Sequence, residues 1–336
     1  DQKITYLSIM IYLLERLRKF FKSVGKKENK INNFIIFKKF KKNLKNYSVE
    51  ANFIPNNEIN EKIKIVASIT FFFDKDKIKN LNKVCKSLNN ISNQTEIYIF
   101  TNRVSPDQEE NLKNMIEVDV TIKVIDEIIN SRLLPWYHIN LMKKLYEREE
   151  ITHFLYLEDD ILIDKLNFNY WINSRKILKK FNLIPAFVRT EVSKKDQEVY
   201  AIDFVKKDKL RYLPKIIIDE NYYFVNHKYP YQGMYLYDRE LMKEHLLGPS
   251  SNPDCGHGAF NENYIDPRMI NQDLMAKANY GLTYIDVPEG FFSRMTLLYN
   301  KKRSSIDNIC QIQHLSNKYS NTKSWFGNIK IKDAIE

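Results

Sequence analysis

The sequence predicts an α/β protein built on a mixed, mostly parallel sheet flanked by helices, and three observations carry that prediction. From Lys62 onward, short runs rich in β-branched and aromatic residues alternate with helical stretches. A hydrophobic content of 43% over 336 residues, 13% of them aromatic, is enough for one large core or two modest ones. Three acids, Glu158, Asp159 and Asp160, directly follow a β-rich run, where such a sheet presents its ligands.

Each element has its own warrant. Ile63 to Phe73 is apolar almost throughout, as a strand buried on both faces must be. Ile78 to Leu88 has the spacing of a helix returning over it. Glu96 to Thr101 and Val120 to Ile125 supply the next strands, Leu141 to Glu149 a helix, and His153 to Leu157 a strand running into the three acids. The alternation then loosens. We expect a helix over Tyr170 to Phe181, strands over Ala186 to Thr190, Tyr222 to Val225 and Gly233 to Tyr237, a helix over Met269 to Asn279, and a strand over Leu282 to Val287. From about Tyr299 to His314 the chain reads as polar loop. There is no internal repeat. The division expected is a basic, helical N-terminal arm over residues 1–61, a folded domain over 62–320 and a tail over 321–336.

Charge narrows the class of ligand. The net charge is +11, but residues 1–62 hold 14 Lys/Arg against 6 Asp/Glu, a net +8, and the remainder carries only +3. A basic leader on a nearly neutral body argues against nucleic acid and for an arm that meets a membrane surface or a partner. The apolar run from Ile4 to Leu14 is 11 residues, shorter than the roughly 20 that cross a bilayer. Arg16, Arg18, Lys19 and Lys22 follow it, which suits an interfacial segment or the remnant of an anchor. The chain begins with Asp1, as a trimmed or processed product would. We expect a cytoplasmic protein, peripheral on the inner face of a membrane. Cys85, Cys255 and Cys310 are too widely spaced for a zinc site or a disulfide framework.

The acid cluster is where the chemistry is read. Like charges about 4 Å apart at an effective dielectric of about 20 repel by roughly 4 kcal/mol per pair. Such a cluster calls for a cation, and hard oxygen ligands suit Mn²⁺ or Mg²⁺, which also bridge nucleotide phosphates. The plainer alternative is that the acids start a turn and cap a helix.

The string His153-Phe-Leu-Tyr-Leu-Glu-Asp-Asp-Ile161 resembles the DXD-type motif of GT-A fold glycosyltransferases, with Glu158 standing where a strict DXD has its first Asp. The resemblance spans roughly residues 62–320 and would make that stretch a GT-A, Rossmann-like catalytic domain. It implies Asp160 as principal metal ligand, with Glu158 or Asp159 contacting the nucleotide or the metal. It implies Thr70 and Asp74, at the end of the first strand, as part of the nucleotide pocket. Trp136 or His138 would touch the donor base or sugar. It implies a base at a helix start, best matched by Asp273, with Glu262 and Asp266 as rivals. A C-terminal histidine, His314, would return to the metal or diphosphate, with Lys318 and Lys323 beside it as phosphate partners. Arg294 is either a phosphate contact or an ordinary surface arginine, Tyr231 a platform for a sugar face, and His257 an exposed loop residue.

The implied partners are a nucleotide-sugar donor, UDP-sugar first, and a glycan or glycolipid acceptor. Two rivals remain. A nucleotidyltransferase would share the acids and the metal, but there is no glycine between Gly25 and Gly233 to form a phosphate loop. A non-catalytic carbohydrate-binding protein would keep the fold without metal dependence.

Overall fold

A computed structural model of the chain describes residues 46–102, 104–126, 128, 130–204, 210–253, 272–322 and 326–334. A short strand, β1 (Tyr47–Ser48), precedes β2 (Ile65–Phe71), β3 (Thr95–Asn102), β4 (Thr121–Ile125) and β5 (His153–Glu158). Helices α1 (Ile78–Asn89), α2 (Pro106–Met115) and α3 (His138–Tyr146) lie between them. After β5 come β6 (Ile161–Leu162), α4 (Lys165–Leu178), β7 (Ile184–Pro185), β8 (Val188–Val192) and β9 (Val199–Ala201). They are followed by β10 (Lys215–Ile217), β11 (Tyr222–Asn226), β12 (Met234–Asp238), α5 (Arg239–Leu247) and α6 (Leu274–Tyr280). β13 (Met295–Asn300), β14 (Ser305–Ile306), β15 (Gln311–His314) and β16 (Ile329–Lys330) complete the series.

The fold is the mixed α/β class expected. Its main sheet has the order β12-β5-β2-β3-β4, parallel except where β12 runs antiparallel to β5. All seven residues of β2 are buried, because it has a strand on either side and helices over its faces. Helix α1 buries Ile78, Leu81, Val84, Cys85 and Leu88, one stripe at helical spacing. Two smaller sheets, β1-β10-β11-β13-β14 with β7 beside β13 and β16-β9-β8-β15-β6, are mixed and mostly antiparallel. The folded body reaches past both expected boundaries. β1 pairs with β10, Phe53 joins the core, and β16 pairs with β9. Of the expected arm over residues 1–61, residues 1–45 lie outside the described residues. No described helix is long and apolar enough to cross a membrane.

Several elements differ from the sequence reading. Leu282 to Val287 forms turns rather than a strand: Asp286 adopts a left-handed φ of 48°, and Thr283 and Ile285 close tight turns onto Tyr280 and Leu282. The strand of that region is β13. Helix α2 has almost no apolar stripe, burying only Leu112, and is held by a capping box between Ser105 and Gln108 with Pro106 in its first turn. Helix α5 starts on an Asp238 cap. The stretch read as loop before His314 contains β14 and β15. The expected start of the last helix, at Met269, lies outside the described residues; α6 runs from Leu274.

Four buried imidazoles are held neutral. Burial depresses His138, His227 and His245 to about 3 and His153 to about 4. Unfolded histidines take up protons below about pH 6.5. The stability from these residues is therefore present above that pH and falls as the pH drops, by about 1.4 kcal/mol per pH unit for each imidazole. His227 packs on Phe204 with ring centroids 5.0 Å apart and planes tilted by 32°, and neither of its ring nitrogens has a partner among the described residues. Replacing it (His227→Phe) should flatten the pH dependence of the urea-unfolding free energy by about 1.4 kcal/mol per unit between about pH 6 and pH 4. An unchanged slope would mean that this imidazole is not the buried neutral group described.

Candidate active site

From β2 the chain moves outward through β3 to β4, then crosses back to place β5 on the other side of β2. The strand order thus reverses between β2 and β5, and an open α/β sheet binds ligands beyond the carboxyl ends of the strands at such a point. Thr70 of β2 and Glu158 of β5 face each other in register there. Asp159 and Asp160 form the turn that follows, before β6.

The three acids occupy three different environments. Glu158 accepts from the Tyr231 hydroxyl at 2.7 Å and from Asn279 Nδ2 at 3.0 Å, and its Oε2 lies 4.0 Å from Arg189 Nη1. Burial raises its pKa, opposed by Arg189 and the Tyr231 hydrogen bond. Gly233 packs against this carboxylate at φ +63°, and a Cβ there would stand 3.0 Å from Glu158 Oε2. Asp159 is pushed up to about 7 by burial and by the neighbouring Asp160 charge, against the pull of Lys77. Its Oδ2 is buried with no partner among the described residues, as is Asn279 Oδ1. Either atom can take a hydrogen bond from a donor.

Asp160 is paired with histidine. Its Oδ2 lies 3.2 Å from His314 Nε2. Burial works to raise its pKa, but the His314 hydrogen bond and charge prevail and hold it low. His314 arrives through strand pairing: β15 runs antiparallel to β6 with His314 opposite Ile161, and Leu315 N–H donates to the Asp160 carbonyl at 2.8 Å. Burial opposes the charged imidazole, yet Asp160 and Glu191 together raise its pKa.

Behind Glu158 stands an ion pair that the sequence reading did not single out. Arg189 of β8 binds Asp203, with Nη2 to Oδ1 at 2.6 Å and Nε to Oδ2 at 3.1 Å, and its guanidinium lies 4.5 Å above the Tyr231 ring. Both side chains are almost fully buried. The only local signal for Arg189 and Glu191 was their presence at alternate positions, so on one face, of a strand otherwise made to be buried.

The remaining candidates are dispersed. Thr70 Oγ1 donates to the Tyr156 hydroxyl at 3.2 Å in the core. Asp74 caps the short helix Lys75–Lys77 by accepting from Asp76 N–H. Trp136 donates to the Leu274 carbonyl at 2.8 Å, joining the Ser131–Trp136 turn to α6. His138 lies beneath the site with both nitrogens engaged, by the Pro135 carbonyl and the Tyr235 hydroxyl, each at 2.5 Å. Since a carbonyl only accepts, Nδ1 carries the proton and Nε2 accepts from Tyr235. Asp273 caps α6 by accepting from Ala276 N–H at 2.8 Å, with its side chain exposed. Helix α6 meets Glu158 through Asn279, about 9 Å of helical rise from Asp273. Tyr231, read as a sugar platform, is tied to Glu158 and Arg189. Arg294 is 1% exposed and bound to Glu244 and Asn182, so it is neither a surface residue nor free for phosphate. Glu262, Asp266, His257 and Lys323 lie outside the described residues.

No protein-family model matches the chain, and no curated protein matches it. Among solved structures, it resembles 4-diphosphocytidyl-2C-methyl-D-erythritol synthase from Anaerococcus prevotii at 15% identity and a TM-score of 0.31, over 62% of this chain and 81% of that one. A likeness this loose carries no argument about the site.

Removing one partner of a buried ion pair strands the other charge. Asp203→Ala should therefore cost about 3–5 kcal/mol in urea denaturation. A loss below about 1 kcal/mol would show that Arg189 is solvated rather than held in a dry pair.

Proposed function

We propose that the chain is a metal-dependent GT-A glycosyltransferase that moves a sugar from a nucleotide-sugar donor, UDP-sugar first, to a hydroxyl of a saccharide or lipid-linked glycan. The observation that carries this reading is the position of Glu158-Asp159-Asp160 at the strand-order reversal, with a histidine from a distant strand facing the last acid.

The residues present fit Mn²⁺ or Mg²⁺. Asp160 and His314 would hold it as a carboxylate and imidazole pair. No three His, Cys, Asp or Glu side chains form a ready-made metal cage among the described residues. An ion held there by Asp160 and His314 would take its other ligands from water and the donor's phosphates. When bound, such an ion would offset the charge that develops on the departing diphosphate.

The chain's own groups have separate tasks in this reading. Glu158, locked by Tyr231, Asn279 and Arg189, would form a fixed wall of the donor pocket. Asp159, with its unpartnered Oδ2, would accept from a donor hydroxyl. Thr70, Asp74, Trp136 and His138 would shape the nucleotide side, the last two from within the packing. Asp273 is exposed, as a group that meets an acceptor must be, and would take the acceptor hydroxyl proton in an inverting reaction. Glu262 is the alternative base.

The net +8 of residues 1–62 supports peripheral contact with an anionic, cytoplasmic membrane face. Sedimentation with phosphatidylserine-containing liposomes should fall when residues 1–45 are deleted, and equal sedimentation of the shortened chain would remove the membrane reading.

The donor assignment is tested by thermal shift with UDP, GDP, CMP and dTDP, each with and without Mn²⁺, on the wild type and Asp160→Ala. Stabilisation by one nucleotide, dependent on Mn²⁺ and absent in the variant, is the expected result. If the variant responds like the wild type, or if no nucleotide shifts either, the acid cluster is not a donor site.

A further inference from the structure

We infer that Glu191 is a positioning residue for the metal pair: it fixes the ring of His314 so that Nε2 faces Asp160. The inference rests on the proposed metal site and names a residue that the motif does not contain. Glu191 is 1% exposed, and its carboxylate takes donors from the returning C-terminal segment. Oε1 lies 2.6 Å from His314 Nδ1 and accepts from Lys318 N–H at 3.0 Å, while Oε2 accepts from Ser320 N–H at 2.7 Å.

The chemistry of the contact sets the tautomer. An ionised carboxylate only accepts, so Nδ1 must carry a proton toward Glu191. The ionised Asp160, 3.2 Å from Nε2, calls for a proton there by the same rule, so an ion at Nε2 would replace that proton while Nδ1–H stays on Glu191. A carboxylate on the far ring nitrogen orients an imidazole and raises its basicity as a ligand. The ring is fixed in a second direction by Tyr319, stacked on it at 5.4 Å between centroids and 23° between planes. Ser316 Oγ, 3.1 Å from either ring nitrogen, is too evenly placed to choose between them, whereas the shorter contact with Glu191 would keep the proton on Nδ1 when an ion takes Nε2.

The same contacts give the plainer alternative. Glu191 binds two backbone N–H groups and could serve only to anchor residues 318–320. A double-mutant cycle on metal affinity separates the two roles. Mn²⁺ binding to the full chain, without nucleotide, is measured by the electron paramagnetic resonance signal of free Mn²⁺, with melting temperatures in EDTA as the control for folding.

Glu191→Gln should weaken Mn²⁺ binding about 10- to 100-fold. In a His314→Ala background it should have no further effect. Two results overturn the inference and leave the metal site standing: Glu191→Gln without effect where His314→Ala weakens binding, or equal weakening in both backgrounds. If neither Asp160→Ala nor His314→Ala alters Mn²⁺ affinity, the metal reading itself fails and this inference falls with it. Should Glu191→Gln fold poorly, Glu191→Asp, which keeps the charge and shortens its reach, takes its place in the cycle.

Discussion

The pairing of two short strands is the constraint on which the site depends. β6 is only two residues long, yet its antiparallel register with β15 sets His314 opposite Ile161, next to Asp160. On its other side β15 runs parallel to β8 with Gln313 level with Thr190, so Glu191 and His314 are each the next residue along. Ile161, His314 and Glu191 therefore form one row across three neighbouring strands, with Asp160 in the turn at its edge. A slip of one residue in either pairing would turn His314 to the opposite face and dissolve the row.

The sheet also separates charges that would otherwise repel. Three consecutive carboxylates sit at the end of β5 and in the turn after it, but each meets a different counterpart: Arg189, Tyr231 and Asn279 for Glu158, His314 for Asp160, and burial for Asp159. Desolvation drives the first two acids up, whereas at the third the His314 hydrogen bond and charge outweigh it and hold the carboxyl low. A group held ionised beside one that burial drives toward its neutral form is the kind of inequality from which sites draw acid and base roles. Arg189 links the two halves of this arrangement, since the Asp203 that neutralises it also fixes its distance from Glu158.

How much of this was legible follows from range. The apolar run of β2, the stripe of α1 and the strand ahead of the acids were readable because their signals are local and periodic. Helix α2 carried a readable signal, the Ser105 and Gln108 capping box, in a segment with no apolar face to draw attention. Leu282 to Val287 looked like a strand by composition, but a left-handed Asp286 and successive turns decide its path. The acids and His314 could be named from the motif they resemble. Arg189, Glu191, Asp203 and Asn279 could not, since their roles arise from contacts between separate elements, 14 residues apart for Arg189 and Asp203, 121 for Asn279 and Glu158, and 123 for Glu191 and His314.

The late position of β15 bears on how the protein is made. About 150 residues separate Asp160 from His314, and at roughly 5–20 residues per second their synthesis occupies about 8–30 s. Throughout that interval the nascent domain can form the parallel core around β2 and β5 while the carboxylates at its rim lack their imidazole. The core sheet is complete when β12 joins β5, well before the ribosome reaches β15. The pairing of Asp160 with His314 thus comes late, and polypeptides released before β15 would be acidic at the rim and without the imidazole that faces Asp160.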